Sequence, residues 1–399
     1  MRPIKSGAEP ESPSDTSNPY PIRISGKGHS FTPACLTEDQ AYLQSQLITC
    51  IGNKRALIPW IDQAVQHVRR RLGFRKLVCA DLFSGSGVVA RYFKQFCDYL
   101  LVNDLESYSR VINECYLSNM SQLDIPLLRE IYEDLLRRIE QSPRPGFITE
   151  LYSPADQDKI TSSDRVFYTR DNAVYLDTAR YWIGELEDRL GRLFLGPLLS
   201  RASVHANTAG VFKGFYKNKD GVGQFGGNGR DAISRICAPI RLDFPVFSRF
   251  ECDYRVYQQD ANDLVLRMKE VDLAYIDPPY NQHPYGSNYF MLNLLVDYRR
   301  PRRISRVSGI PIDWRRSSYN KRRESEKALF DLLQACPAKF LLVSYNSEGF
   351  IDSDRMTQFL KSLGPCSTFQ TSYTTFRGSR NLRSRSPKVT EYLFLVEKK

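Results

Sequence analysis

Long apolar runs are missing from this 399-residue sequence. No stretch approaches the eighteen or more residues of a membrane span, and the N-terminus lacks the apolar core of a secretory signal. A cytoplasmic protein with no membrane partner is expected. Histidine is scarce, with four dispersed along the chain, and the nine cysteines form no CxxC pair. That pattern argues against structural zinc, and an odd number of scattered cysteines fits reduced, partly buried thiols. No metal is expected. No internal repeat is visible, and a complete G-x-G-x-x-G dinucleotide fingerprint is absent.

What remains is an ordinary globular composition, 42% hydrophobic and 25% charged, long enough for two domains or for one domain with a large insertion. The net charge of +11, with a pI near 9.1, points to a polyanionic partner. The charge is concentrated: Asp297 to Arg323 holds ten basic and two acidic residues. A second basic stretch, with Arg377, Arg380, Arg383 and Arg385, carries no acid between Tyr373 and Lys388.

Residues 1–30, rich in Pro, Ser and Gly, read as a flexible tail. Gly52-Asn53-Lys54-Arg55 precedes a helix whose apolar face runs from Leu57 to Leu72. Leu77 to Phe83 is β-rich, Ser84-Gly85-Ser86-Gly87 is a turn, and Val88 to Phe96 has helical spacing. Strand, glycine turn and helix form the first unit of a doubly wound sheet. A second strand, Tyr99 to Val102, ends at Asn103-Asp104. Alternation then stops: Leu105 to Glu140 reads as helical, Leu176 to Leu199 as a further helix, and 210–230 is rich in glycine, aromatics and base. We take 105–253 as an inserted domain. The sheet resumes at Tyr254 to Tyr257, ending near Asp260, and continues through Val271 to Ile276 and Lys339 to Tyr345. A helix is expected over 324–335, another from Ile351 to Leu363, and a hairpin from segments near Phe369–Thr375 and Tyr392–Val396.

The strand Val271–Ile276 runs into Asp277-Pro278-Pro279-Tyr280. Prolines fix their own φ and hold the preceding residue extended, so a carboxylate, a free carbonyl and an aromatic ring meet at one pre-shaped spot. That set suits a planar ring bearing an amine. The turn Phe83–Gly87 lets backbone approach a ligand closely. Asp81 beside it would attract a cationic amine, and Asp104, ending the next strand, has the position of a ribose-hydroxyl acceptor. An adenosine with an attached amino acid satisfies all three features.

Phe83–Gly87 followed far downstream by Asp277-Pro278-Pro279-Tyr280 resembles the alpha group of adenine-N6 DNA methyltransferases, which includes the Dam-like enzymes and many type II restriction–modification methyltransferases. Gly52-Asn53-Lys54 matches the group's preceding glycine–lysine element, and the resemblance covers about residues 40–399. It implies a Rossmann-like, seven-stranded, mostly parallel α/β sheet with a C-terminal antiparallel hairpin strand. The cofactor half would be 31–104, a largely helical target-recognition domain 105–253, and the catalytic half 254–399, with 297–323 as a basic DNA-contact loop. It implies S-adenosylmethionine at Lys54, Asp81, Phe83, Gly85, Gly87, Asp104 and Asp260, and catalysis by Asp277, Pro278, Pro279 and Tyr280. Arg302, Arg303, Arg315, Arg316, Arg377 and Arg380 are the expected contacts to double-stranded DNA. The implied protein is a monomer paired functionally, without a stable complex, with a restriction endonuclease. Structured RNA as substrate, or a binding module without catalysis, are the alternatives. Cytosine-N4 enzymes usually begin the tetrad with Ser and protein-glutamine enzymes with Asn, so Asp277 points to adenine.

Overall fold

The computed structural model describes residues 38–374 and 388–399, apart from Asp231. The tail 1–30 and Arg377 and Arg380 lie outside the described residues. Seven strands form one sheet: β1 Leu77–Asp81, β2 Cys97–Asp104, β3 Asp253–Gln258, β4 Val271–Ile276, β5 Ala338–Asn346, β6 Cys366–Thr374 and β7 Lys388–Glu397. Their spatial order is β3-β2-β1-β4-β5-β7-β6. The first five are mutually parallel, and β7 runs antiparallel to both β5 and β6. This is the expected seven-stranded, mostly parallel sheet closed by an antiparallel hairpin.

Every residue of β4 is buried. A central parallel strand covered on both faces needs no apolar–polar alternation, which is why Val271–Ile276 is almost continuously apolar. Its one acid, Asp272, is held at the strand's start by Arg75 at 2.5 and 2.8 Å and by the Val78 amide at 2.9 Å. The period of two appears instead as two cores. Leu273, Tyr275, Leu100 and Leu342 face one way, and Ala274, Ile276, Leu101 and Leu341 the other.

The second face is covered by helices Ala261–Val265, Ser325–Ala335 and Ser353–Leu363. The first merges with residues from 105–253: Phe167, Phe194, Leu198 and Phe212 belong to the same apolar cluster as Leu273 and Tyr275. Helix Ser107–Tyr116 lies between them, with Val111 and Ile112 buried. The single helix expected over 176–199 is two helices, Arg170–Gly184 and Asp188–Val204. Glu187 accounts for the break, because its carboxylate accepts from the Arg189 and Leu190 amides and caps the second helix. Among the described residues no helix is long and apolar enough to cross a membrane.

Candidate active site

In an open parallel sheet the ligand crevice forms outside the carboxyl ends of the strands, where the strand order reverses. That point lies between β1 and β4. β1 ends at Asp81 and β2 at Asp104, while Asp260 lies two residues past the end of β3 and Asp277 follows β4 directly. All four carboxylates line one cleft, together with Lys54, Phe83, Gly85 and Pro279.

The glycine turn forms one wall. Gly85 has φ +51° and Gly87 φ +76°, a region disfavoured for side chains. A Cβ on Gly87 would also come within 2.8 Å of Asn113 Oδ1. The Phe83 ring packs edge-on to Tyr319 at 5.1 Å. The Gly85 amide donates to Asp104 Oδ2 at 2.8 Å and the Glu106 amide to Oδ1 at 2.9 Å, so Asp104 is oriented with lone pairs to spare. Asp260 caps helix Ala261–Val265 through the Asn262 amide at 2.8 Å, so it has a structural task as well as a cleft position. Asp81 differs from these. It is fully buried, neither carboxylate oxygen makes a hydrogen bond of good geometry, and the nearby Phe83 and Ala90 amides only partly offset the cost of burying it. Burial, followed by repulsion from Asp277 and Asp104, raises its pKa well above the ordinary carboxylate value. A cation placed there would relieve both effects.

In the same cleft, Asp277 pairs with Lys54. The ammonium lies 3.1 Å from Asp277 Oδ1 and 2.5 Å from Glu391 Oε1. Glu391 also accepts from Ser344 Oγ and Asn346 Nδ2, each at 2.9 Å. Burial pushes the Asp277 pKa up to about 6, with Lys54 opposing the shift and Glu391 adding to it. Pro278 is buried. Tyr280 sits edge-on to Tyr345 at 6.3 Å, and its carbonyl accepts from the Phe350 amide at 3.0 Å.

Of the expected DNA contacts, Arg315 reaches the cleft wall, and Arg302 lines an adjoining cleft with Arg299, Arg300 and Trp314. Arg303 and Arg316 are exposed, and the Arg316 guanidinium lies 4.2 Å from the Trp314 ring centre. Segment 210–230 docks beside the stretch following the tetrad: the Phe212 amide donates to Asn288 O at 2.7 Å, and Lys213 Nζ is 3.3 Å from His283 Nδ1.

Sequence reasoning missed Glu106, Tyr319 and Glu391. Glu106 follows Asp104 by two residues and accepts from Asn293 Nδ2 at 2.6 Å; burial and the neighbouring Asp104 raise its pKa to about 7. Its spacing from Asp104 was a usable signal. Tyr319 comes from the basic segment and Glu391 from the final strand, and neither carries a local motif.

The sequence matches the model of the D12 class N6 adenine-specific DNA methyltransferases over residues 51–308. Similar curated proteins include the type II methyltransferase M.NlaIII of Neisseria lactamica, 29% identical over 87% of this chain and 98% of that protein. M.CviAII of Paramecium bursaria Chlorella virus 1 is 28% identical over 87% and 97%. M.FokI of Planomicrobium okeanokoites is 26% identical over 87% of this chain but 52% of its own length.

Proposed function

Because the chain belongs to the D12 class N6 adenine-specific DNA methyltransferases, we propose that it moves a methyl group from S-adenosylmethionine to the N6 of an adenine flipped out of duplex DNA. We further propose that it is the site-specific modification partner of a type II restriction system, acting as a cytoplasmic monomer. The supporting observation is that Asp277 and Pro279 of the acceptor tetrad line the same cleft as Phe83, Gly85 and the acids Asp81 and Asp104.

The residues fit the cofactor. Asp81 offers a buried carboxylate with no well-formed hydrogen bond to a cationic group, Asp104 is oriented for ribose hydroxyls, and the Gly85 backbone leaves room where a side chain would intrude. Phe83 and Tyr319 supply aromatic surface. When bound, S-adenosylmethionine would supply an electrophilic methyl whose carbon–sulfur bond breaks as the adenine nitrogen bonds the carbon, the nitrogen then losing one N–H proton to solvent. The adenine amine is a poor nucleophile because its lone pair is conjugated into the ring. Hydrogen bonds from its two N–H groups to the Asp277 carboxylate and the Pro278 carbonyl favour pyramidal nitrogen and free that pair. Tyr280 would stack on the base. Catalysis is thus positioning plus stabilisation of positive charge developing on nitrogen.

Asp277 accepts well only when ionised. With its pKa raised to about 6 by burial, kcat should fall as the pH drops through about 6, well above the ordinary carboxylate range near 4. A flat kcat–pH profile between about 4.5 and 7.5 contradicts the assignment.

The exposed basic loop would hold the phosphates of the flipped duplex, with segment 210–230 and the rest of 105–253 reading sequence. Neutralising Arg302, Arg303, Arg315 and Arg316 together should flatten the log–log salt dependence of DNA binding by about one unit for each phosphate no longer neutralised. An unaltered slope would make that loop mere surface. The reaction itself is tested with methyl-labelled cofactor offered duplex DNA or structured RNA, followed by nucleoside analysis. N6-methyladenine from the duplex is expected; label confined to RNA or cytosine contradicts the proposal.

A further inference from the structure

The tetrad, the glycine turn and the basic loop leave unexplained a buried acid on the last strand. We propose that Glu391 is a positioning residue for methyl transfer, taking up the Lys54 ammonium so that Asp277 remains a strong hydrogen-bond acceptor for the adenine amine. This rests on the role of Asp277 proposed above.

The geometry is a relay of three charged groups. Lys54 Nζ is closer to Glu391 Oε1, at 2.5 Å, than to Asp277 Oδ1, at 3.1 Å. Glu391 is 1% exposed. β7 runs antiparallel to β5, and pairing of Glu391 with Asn346 brings its side chain to the carboxyl end of the parallel strands. Ser344 and Asn346, two apart on β5 and hence on one face, then donate to its two oxygens. Forming a hairpin does not call for an acid here: Leu393 and Leu395 continue the same face of β7 as apolar core. A buried carboxylate is costly unless paired and hydrogen-bonded, and this one has three donors, two of which, Lys54 and Ser344, also act on Asp277.

The chemical consequence follows from counting charge. Asp277 and Lys54 alone make a neutral pair, in which the ammonium competes with the adenine N–H groups for the acceptor. Adding Glu391 draws the ammonium away and leaves the trio with one net negative charge beside the nitrogen that becomes positive. Other groups facing Asp277 are Cys50, Asp81, Tyr275, Ser344 and Tyr285. Asp81 is the remaining acid among them, and it faces the proposed cofactor.

The test is Glu391→Gln, which keeps shape and removes charge. kcat on duplex DNA should fall by about 10- to 100-fold, the size of a charge-assisted hydrogen bond, with cofactor and DNA affinity unchanged. The acid limb of the kcat–pH profile should also move to lower pH, because the negative charge of Glu391 helps to raise the Asp277 pKa. In a Lys54→Met background Glu391→Gln should cost clearly less than it does in the wild type, since the part of its effect that acts through the lysine is already gone. A kcat within about twofold of wild type, an unmoved acid limb, or an additive loss with Lys54→Met each overturns the proposal. Should Glu391→Gln not fold, Asn346→Ala loosens the same acid and should lower kcat in the same direction; an unchanged kcat there also overturns it. Wild-type protein that methylates no adenine would instead refute the role of Asp277 itself.

Discussion

Asp277→Ala should all but abolish methyl transfer, lowering kcat by at least about 10²–10³, while DNA and cofactor affinities stay near wild type. The magnitude follows from the task. In the proposed mechanism the carboxylate is the strongest acceptor offered to the amine, and its interaction would grow as positive charge builds on nitrogen, so its removal should fall on kcat rather than on binding. The fold should survive because Lys54 keeps Glu391 as an ion-pair partner after Asp277 is gone. Asp277→Asn should retain weak activity, since an amide oxygen accepts one hydrogen bond without the charge. Stopped-flow turnover alongside equilibrium DNA binding separates the two effects. Undiminished turnover in Asp277→Ala would remove the tetrad from the chemistry.

Gly85→Val should eliminate the heat of S-adenosylmethionine binding. Gly85 has φ +51°, where a β-branched residue is strained by about 1–2 kcal/mol or more. Its amide holds Asp104 in place at 2.8 Å, so a shift to relieve the strain also disturbs the acid expected at the ribose. A Cβ meets nothing closer than 4.0 Å, so the isopropyl group can be accommodated by the protein but stands in the cleft. Gly85→Ala should fall between, and Asp277→Ala should bind cofactor normally in the same calorimeter. Wild-type affinity in Gly85→Val would remove the glycine turn from the cofactor site.

Much of this architecture is legible in the sequence because it is written locally. The strands β1 and β4 announce themselves as apolar runs, each stopping at an unusual turn, and the turn chemistry at Gly85, Gly87, Pro278 and Pro279 restricts the backbone wherever it occurs. Asp81, Asp104, Asp260 and Asp277 could be placed at strand ends from that alone, and the sheet brings them to one cleft. What escaped is what depends on distant packing. Glu391 lies 337 positions from Lys54, and only the antiparallel register of β7 on β5 brings the two together. Tyr319 hides in a segment whose arginines read as a surface loop, yet its ring is buried against Phe83 and its hydroxyl donates to Asn262 Oδ1 at 2.6 Å. The helix break at Glu187 was missed because an acid and a glycine are tolerated inside helices, and only the capping bonds decide otherwise. Lys54 illustrates both sides. Its element was visible from Gly52-Asn53-Lys54, whereas its ion pair with Asp277 required the fold.

The central claim, an adenine-N6 methyl transfer to duplex DNA at a defined site, meets its most direct test in a methylation-free host. Plasmid DNA from cells expressing this chain is sequenced by a method that reads modified bases. The expected result is N6-methyladenine at one recurring sequence, absent from DNA of cells expressing Asp277→Ala. Unmodified adenines in cells that accumulate the folded wild-type protein, or a modification that persists in the Asp277→Ala cells, would contradict it.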